Sequence, residues 1–336
     1  MTFELERPGR PFGTTLPPFS PPLDLRVRLW LKSADWLGKR GYYPTIETLP
    51  SLALERRKAS KPPWWLTKPL PRNLAIRDYA PEALGLQHSI RVYRGPKGSR
   101  PLPIVLFIHG GGFINGGLDS MHYTCGRVAS LAEVVVVSVD YPLAPEAPFP
   151  AALASIAGTL AWLAEHGDRI GGQPRKIAVM GDSAGANLAA ALCLHTRRRG
   201  GAEIAHQVLV YPTLDATLST PSMLAADHAR RRDCALFYNH YAGGAQQDAE
   251  LISPLLAADL TGLPSATIIT ADHDTLRDDG LLYAQRLEQA GVRVRQTNYL
   301  RMPHGFLSMP RLCRAAPHAL AEIAHELHQL NASASH

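Results

Sequence analysis

The sequence predicts an α/β fold built on a mostly parallel central sheet flanked by helices, and three observations carry that expectation. Short, continuous apolar runs such as PIVLFIHG (103–110) and VVVVSVDY (134–141) suit strands covered on both faces, as parallel strands are. Between such runs lie segments with helical composition. PAALASIAGTLAWLAEHG (150–167), for instance, opens on proline and closes on glycine. Strand-like and helix-like textures then alternate from residue 87 to residue 330.

Taken in order, residues 1–22 are proline-rich and read as an irregular arm. In the next segment, Leu23, Val27, Trp30, Leu31, Ala34 and Leu37 recur at helical spacing. Arginines and a lysine interleave with them, so a membrane surface is one reading of this helix. A helix covering an apolar groove is the preferred one. KPPWWLTKPLP (61–71) reads as a loop with two exposed or groove-lining tryptophans, Trp64 and Trp65. Strands follow at QHSIRVYRG (87–95), 103–110 and 134–141, then the helix at 150–167. KIAVMGD (176–182) is a strand and AGANLAAALCLHTRRRG a helix, whose Arg197, Arg198 and Arg199 suit the negative end of its dipole. HQVLVYP (206–212) is a strand, and SATIITADHD (265–274) is a strand running into a loop. A helix (278–291), a strand (VRVRQTNYL) and a last helix (316–330) complete the pattern. Residues 213–250 are polar and helix-prone and break the alternation. They read as an insertion beyond a strand's C-terminal end, where open α/β sheets bind ligands. The expected organisation is an N-terminal arm with cap helices over 1–80, then a catalytic domain over 81–336 carrying a cap insertion at about 213–250.

The chain has 336 residues, 46% of them hydrophobic, enough for a large core and against wholesale disorder. Its net charge of +6 is spread, without a long basic run or an aromatic–basic ladder, so no nucleic acid partner is expected. Cys125, Cys193, Cys234 and Cys313 form no CxxC pair, which suits a reducing compartment and offers no metal site. The N-terminus shows no apolar core of a signal peptide, and no apolar stretch reaches the length of a membrane span. A cytoplasmic protein without a stable membrane anchor is expected.

Gly181-Asp182-Ser183-Ala184-Gly185 matches G-x-S-x-G between a strand and a helix. A sharp turn there lifts the serine above the sheet. The glycines leave room where a Cβ would meet the neighbouring strand or helix. Alone the motif is weak; a second signal strengthens it. His109-Gly110-Gly111-Gly112-Phe113 ends an earlier strand, and glycine N–H groups there can face a developing oxyanion unobstructed. The Ala184 N–H can add a third donor. No GK[ST] or GxGxxG accompanies the run, so a phosphate cradle is disfavoured.

Acyl transfer by serine needs an imidazole in hydrogen-bond reach and a carboxylate to hold its tautomer. Of the ten histidines after Ser183, His304 stands apart. It follows a strand in YLRMPHGF, with Pro303 and Gly305 shaping a loop, whereas His318, His325 and His328 lie on the last helix. The acid belongs after the strand ending near Thr270, with Asp272, Asp274, Asp278 and Asp279 as candidates. Asp278 and Asp279 read as first-turn helix residues and caps, and Asp274 is preferred over Asp272. DHD has no second cluster at metal spacing and HELH is not HExxH, so no metal is expected.

Together, HGGGF (109–113), DYPLAPEAPFPAAL (140–153), GDSAGAN (181–187), DHDTLRDDG (272–280) and HGF (304–306) resemble the hormone-sensitive-lipase-like branch of the α/β-hydrolases, and within it the bacterial acetyl esterases. The resemblance covers roughly residues 85–330. It implies an α/β-hydrolase fold with a helical cap, and Ser183 as nucleophile, Asp274 as acid and His304 as base. It further implies an oxyanion hole from Gly111, Gly112 and Ala184, and a small-molecule ester with a short acyl chain as substrate. No cofactor is implied. Thr275 stands where relatives carry proline, Pro142 where many carry arginine, and Ala186 where many carry glycine; none removes a catalytic group. A peptidase or amidase on the same fold, and a binding protein that has lost the chemistry, are the rival readings. Monomer and homodimer are both compatible with these features.

Overall fold

The computed structural model describes residues 22–38, 56, 61–95, 100–244 and 249–332. The predicted arm over 1–22, apart from Pro22, and most of residues 39–60 lie outside the described residues. Eight strands form one sheet: β1 (Ala75–Tyr79), β2 (Ile90–Arg94), β3 (Leu102–Ile108), β4 (Val135–Val139), β5 (Gly172–Asp182), β6 (His206–Val210), β7 (Ser265–His273) and β8 (Val294–Pro303). Their spatial order is β1-β2-β4-β3-β5-β6-β7-β8. The β1–β2 and β2–β4 pairs are antiparallel, and every later pair is parallel.

The continuous apolar runs are explained by burial on both faces. Ile104, Leu106 and Ile108 of β3 enter one core, while Val105 and Phe107 enter the other. Each such side chain contributes about 1.5–3 kcal/mol by leaving water. The first core is closed by α4 (Ala151–His166), α5 (Ala184–Arg199) and α9 (Arg277–Gln289), which supply Ile156, Leu188 and Leu282. The second is closed by α3 (His122–Ala132) and α10 (Ala316–Ala332), through Val128 and Ile323. Helix α1 (Leu25–Gly38) presses the fully buried Val27 onto this second core, with Leu23 and Trp30 alongside, the face expected from their spacing. Trp64 does not line a groove: it is 80% exposed, and Trp65 46%. Arg197 and Arg198 do more than meet a dipole, since they pair with Asp259 and Glu250.

Three elements have no counterpart in the sequence reading: β1, α3 and the one-turn helix α2 (Pro81–Leu84). Strand β1 carries an edge with four exposed positions, so no apolar alternation marks it. Helix α3 contains Gly126, a poor helix former on which the side chains of Leu70 and Leu74 pack closely: a Cβ would lie 2.5 Å from Leu70 Cδ2.

Because β3 and β5–β8 run parallel, their C-terminal ends share one edge of the sheet. That edge receives the loops after Ile108, Asp182, Val210, His273 and Pro303. Beyond β6 come α6 (Pro221–Leu224), α7 (His228–Ala242) and α8 (Ala249–Ile252). Among the described residues no helix is long and apolar enough to cross a membrane.

Candidate active site

Ser183 joins β5 to α5 with φ 54° and ψ −120°, a left-handed backbone that a non-glycine residue rarely adopts. Its N–H is held by the Val210 carbonyl. The flanking glycines are demanded by backbone contacts. A Cβ on Gly181 would lie 2.2 Å from the Gly185 carbonyl oxygen, and one on Gly185 would lie 2.1 Å from that of Ile108. The turn therefore packs against the end of β3, where the HGGG loop begins.

His304 Nε2 lies 3.0 Å from Ser183 Oγ, and its Nδ1 lies 2.6 Å from Asp274 Oδ2. Asp274 is buried and its other oxygen accepts the Leu276 N–H. Tyr211, just past β6 with φ 35°, turns its ring edge-on to the imidazole at 4.9 Å between centroids. Nothing in the sequence marks this tyrosine, whose position is set by the Ile269 carbonyl accepting its N–H.

The other aspartates have different employment. Asp272 accepts from Asn298 Nδ2 and faces Arg277. Asp278 and Asp279 are not caps of α9, which Leu276 begins without a side-chain cap. Asp278 accepts the Ser222 N–H and the Arg277 Nε–H. Asp279 accepts the N–H groups of Leu214 and Asp215 and the Thr220 hydroxyl. Both carboxylates thus fasten the segment after β6 to the loop carrying Asp274. Asn187 adds a tie, donating to the Thr213 and Ile252 carbonyls.

The glycine loop is built around buried polar groups. His109 donates from Nδ1 to the Gly110 carbonyl and stacks on Tyr141, and burial pulls its pKa down to about 4. It is a neutral structural wedge. Gly110 N–H donates to Asp182 Oδ1 at 2.8 Å, leaving no room for a side chain: a Cβ would sit 2.6 Å from Oδ2. Burial pushes the Asp182 carboxyl up to about 6, against the pull of that N–H and of the His304 charge. Gly111 (φ 123°) turns its carbonyl inward to accept from Ile114 and Asn115. Among the described residues no carbonyl takes the N–H of Gly111 or Gly112. Ala184 is the first residue of α5, so its N–H lacks an intrahelical acceptor.

Burial pulls the His304 pKa down, but the charge and hydrogen bond of Asp274 outweigh it, and the imidazole is held above its ordinary value; Asp182 adds to this and Arg230 opposes it. An imidazole that serves as a base must be neutral to act, so a reaction relying on His304 is lost as pH falls through this raised pKa. The acid limb of kcat/KM for p-nitrophenyl acetate should therefore centre above about pH 6.5 rather than at it. A profile flat from pH 5 to 9, or centred below 6.5, would contradict the assignment of His304 as base.

A serine, an imidazole and a carboxylate hydrogen-bonded in series beside a glycine loop, at one edge of a mostly parallel sheet, define the class: a hydrolase. Residues 105–308 match the alpha/beta hydrolase fold family. Carboxylesterase NlhH of Mycobacterium tuberculosis is 40% identical over 250 residues, covering 71% of this chain and 78% of that protein. The ethyl acetate hydrolase of Pseudomonas putida is 33% identical over 247 residues, with the same shares. The solved esterase of Pyrobaculum calidifontis superposes with a TM-score of 0.76 at 33% identity, covering 92% of this chain and 99% of that one. The chain belongs to the alpha/beta hydrolase family, in its hormone-sensitive-lipase-like esterase branch.

Proposed function

We propose that the chain is a serine carboxylesterase that hydrolyses short-acyl-chain esters through an acyl-enzyme. The observation that carries this reading is the unbroken relay from Ser183 Oγ to His304 Nε2 (3.0 Å) and from Nδ1 to Asp274 (2.6 Å). His304 takes the proton of Ser183 as the serine oxygen attacks the ester carbonyl. The N–H groups of Gly111, Gly112 and Ala184 receive the oxyanion, each lost donor costing about 3–4 kcal/mol of barrier. Collapse expels the alcohol, protonated by His304, and leaves the acyl-serine. Water, deprotonated by the same imidazole, then releases the acid. Asp274 keeps the tautomer and stabilises the imidazolium. None of these steps calls on a metal or organic cofactor.

The N-terminal segment to residue 80 and the insertion at about 213–250 act in this reading as a cap over the site. The preference for short acyl chains draws on the acetyl-esterase resemblance and on the relative named an ethyl acetate hydrolase. Four free cysteines are consistent with a cytoplasmic enzyme. The test joins a fluorophosphonate probe to a p-nitrophenyl ester series from C2 to C12. The expected result is labelling at Ser183 and a kcat/KM maximum among the short acyl chains. An unlabelled Ser183 would overturn the esterase reading, and a maximum beyond C8 would overturn the chain-length part.

A further inference from the structure

We infer that Phe237 of α7 sets the length of acyl chain the site accepts, by standing against the oxyanion loop on the side where the acyl group of a bound ester lies. This rests on the carboxylesterase reading above and deepens it.

The contact is direct. A Cβ built on Gly112 would fall 2.4 Å from Phe237 Cδ1 and 2.6 Å from Cε1, so the ring lies on the Gly112 α-carbon itself. Phe237 is also only half-buried, whereas its neighbours Tyr238 and Tyr241 on the same helix are buried. The two tyrosines fix the helix. Tyr241 stacks on Phe113 at 3.9 Å between centroids, and Tyr238 shares a hydrogen bond with Thr213. The ring of Phe237 is therefore held in place by its helix while one side of it stays open.

Stereochemistry assigns that open side. His304 must protonate the leaving oxygen, so the alcohol lies towards the loops after β7 and β8. The sheet order puts β3 and its glycine loop across β5 from those strands. The oxyanion faces the glycine loop on that side, and the acyl substituent, carried by the same carbon, lies beside that loop, where Phe237 stands against Gly112.

The test compares p-nitrophenyl esters of C2 to C12 acids on the wild type, Phe237→Ala, Phe237→Leu and Phe237→Trp, each checked by thermal unfolding and fluorophosphonate titration. Phe237→Ala should raise the ratio of kcat/KM for C8 over C2 at least about tenfold, with Phe237→Leu intermediate and Phe237→Trp lowering it. A ratio unchanged within about twofold in folded, probe-reactive variants overturns the inference, as does a uniform loss at every chain length. Should Phe237→Ala fail to fold, the Leu and Trp variants decide. Failure of the wild type to label at Ser183 would instead overturn the underlying reading, so the two failures are distinguishable.

Discussion

Ser183→Ala is expected to lower kcat for p-nitrophenyl acetate by about 10⁴-fold or more, because in the proposed mechanism serine, imidazole and carboxylate act as one unit. The substitution is unusually clean here. Alanine keeps the Cβ, so the cost of φ 54° at this turn is the same in both proteins. The Val210 carbonyl still holds the residue's N–H, and only the hydroxyl facing His304 Nε2 is lost. Melting temperature should stay within a few degrees while turnover collapses. In the proposed mechanism any residual rate comes from the amides of Gly111, Gly112 and Ala184, which survive the change. Retained wild-type turnover by a folded Ser183→Ala protein would remove the serine from the reaction altogether.

The parts of the site visible in the sequence are those where chemistry and backbone geometry both restrict the residue. Gly181 and Gly185 are glycines because a carbonyl oxygen stands where their Cβ atoms would be. That constraint leaves a mark a reader can find. His304 was legible because a strand pattern ends just before it, and strand ends are where this edge of the sheet collects its loops. The residues that went unread are held by tertiary contacts alone. Tyr211 follows an ordinary apolar strand, and Phe237 sits in a polar helix where nothing local separates it from its neighbours. Asp278 and Asp279 occupy a helix's first turn, so they read as caps. Their carboxylates reach residues more than fifty positions earlier in the chain, a fact no local window contains. The same holds for α3, where the glycine that argues against a helix is the one that lets Leu70 approach.

Asp274→Asn is the second change with a very large expected effect, about 10⁴-fold in kcat. The amide presents a neutral group to His304 Nδ1 at a contact now only 2.6 Å long. In the proposed mechanism it can no longer hold the tautomer that leaves Nε2 free to accept the Ser183 proton, nor stabilise the imidazolium. A second readout separates this from structural damage. Asp274 is what raises the His304 pKa against burial. With the charge gone burial prevails, so the acid limb of the residual activity should move to lower pH. Asp272→Asn, two residues away and just as buried, is the informative contrast. Its carboxylate serves Asn298 and Arg277, so its loss should cost about 1–3 kcal/mol of stability and leave the limb in place. If the two variants exchanged behaviours, with Asp272→Asn inactive and shifted and Asp274→Asn merely less stable, the carboxylate orienting the base would be the wrong one of the pair.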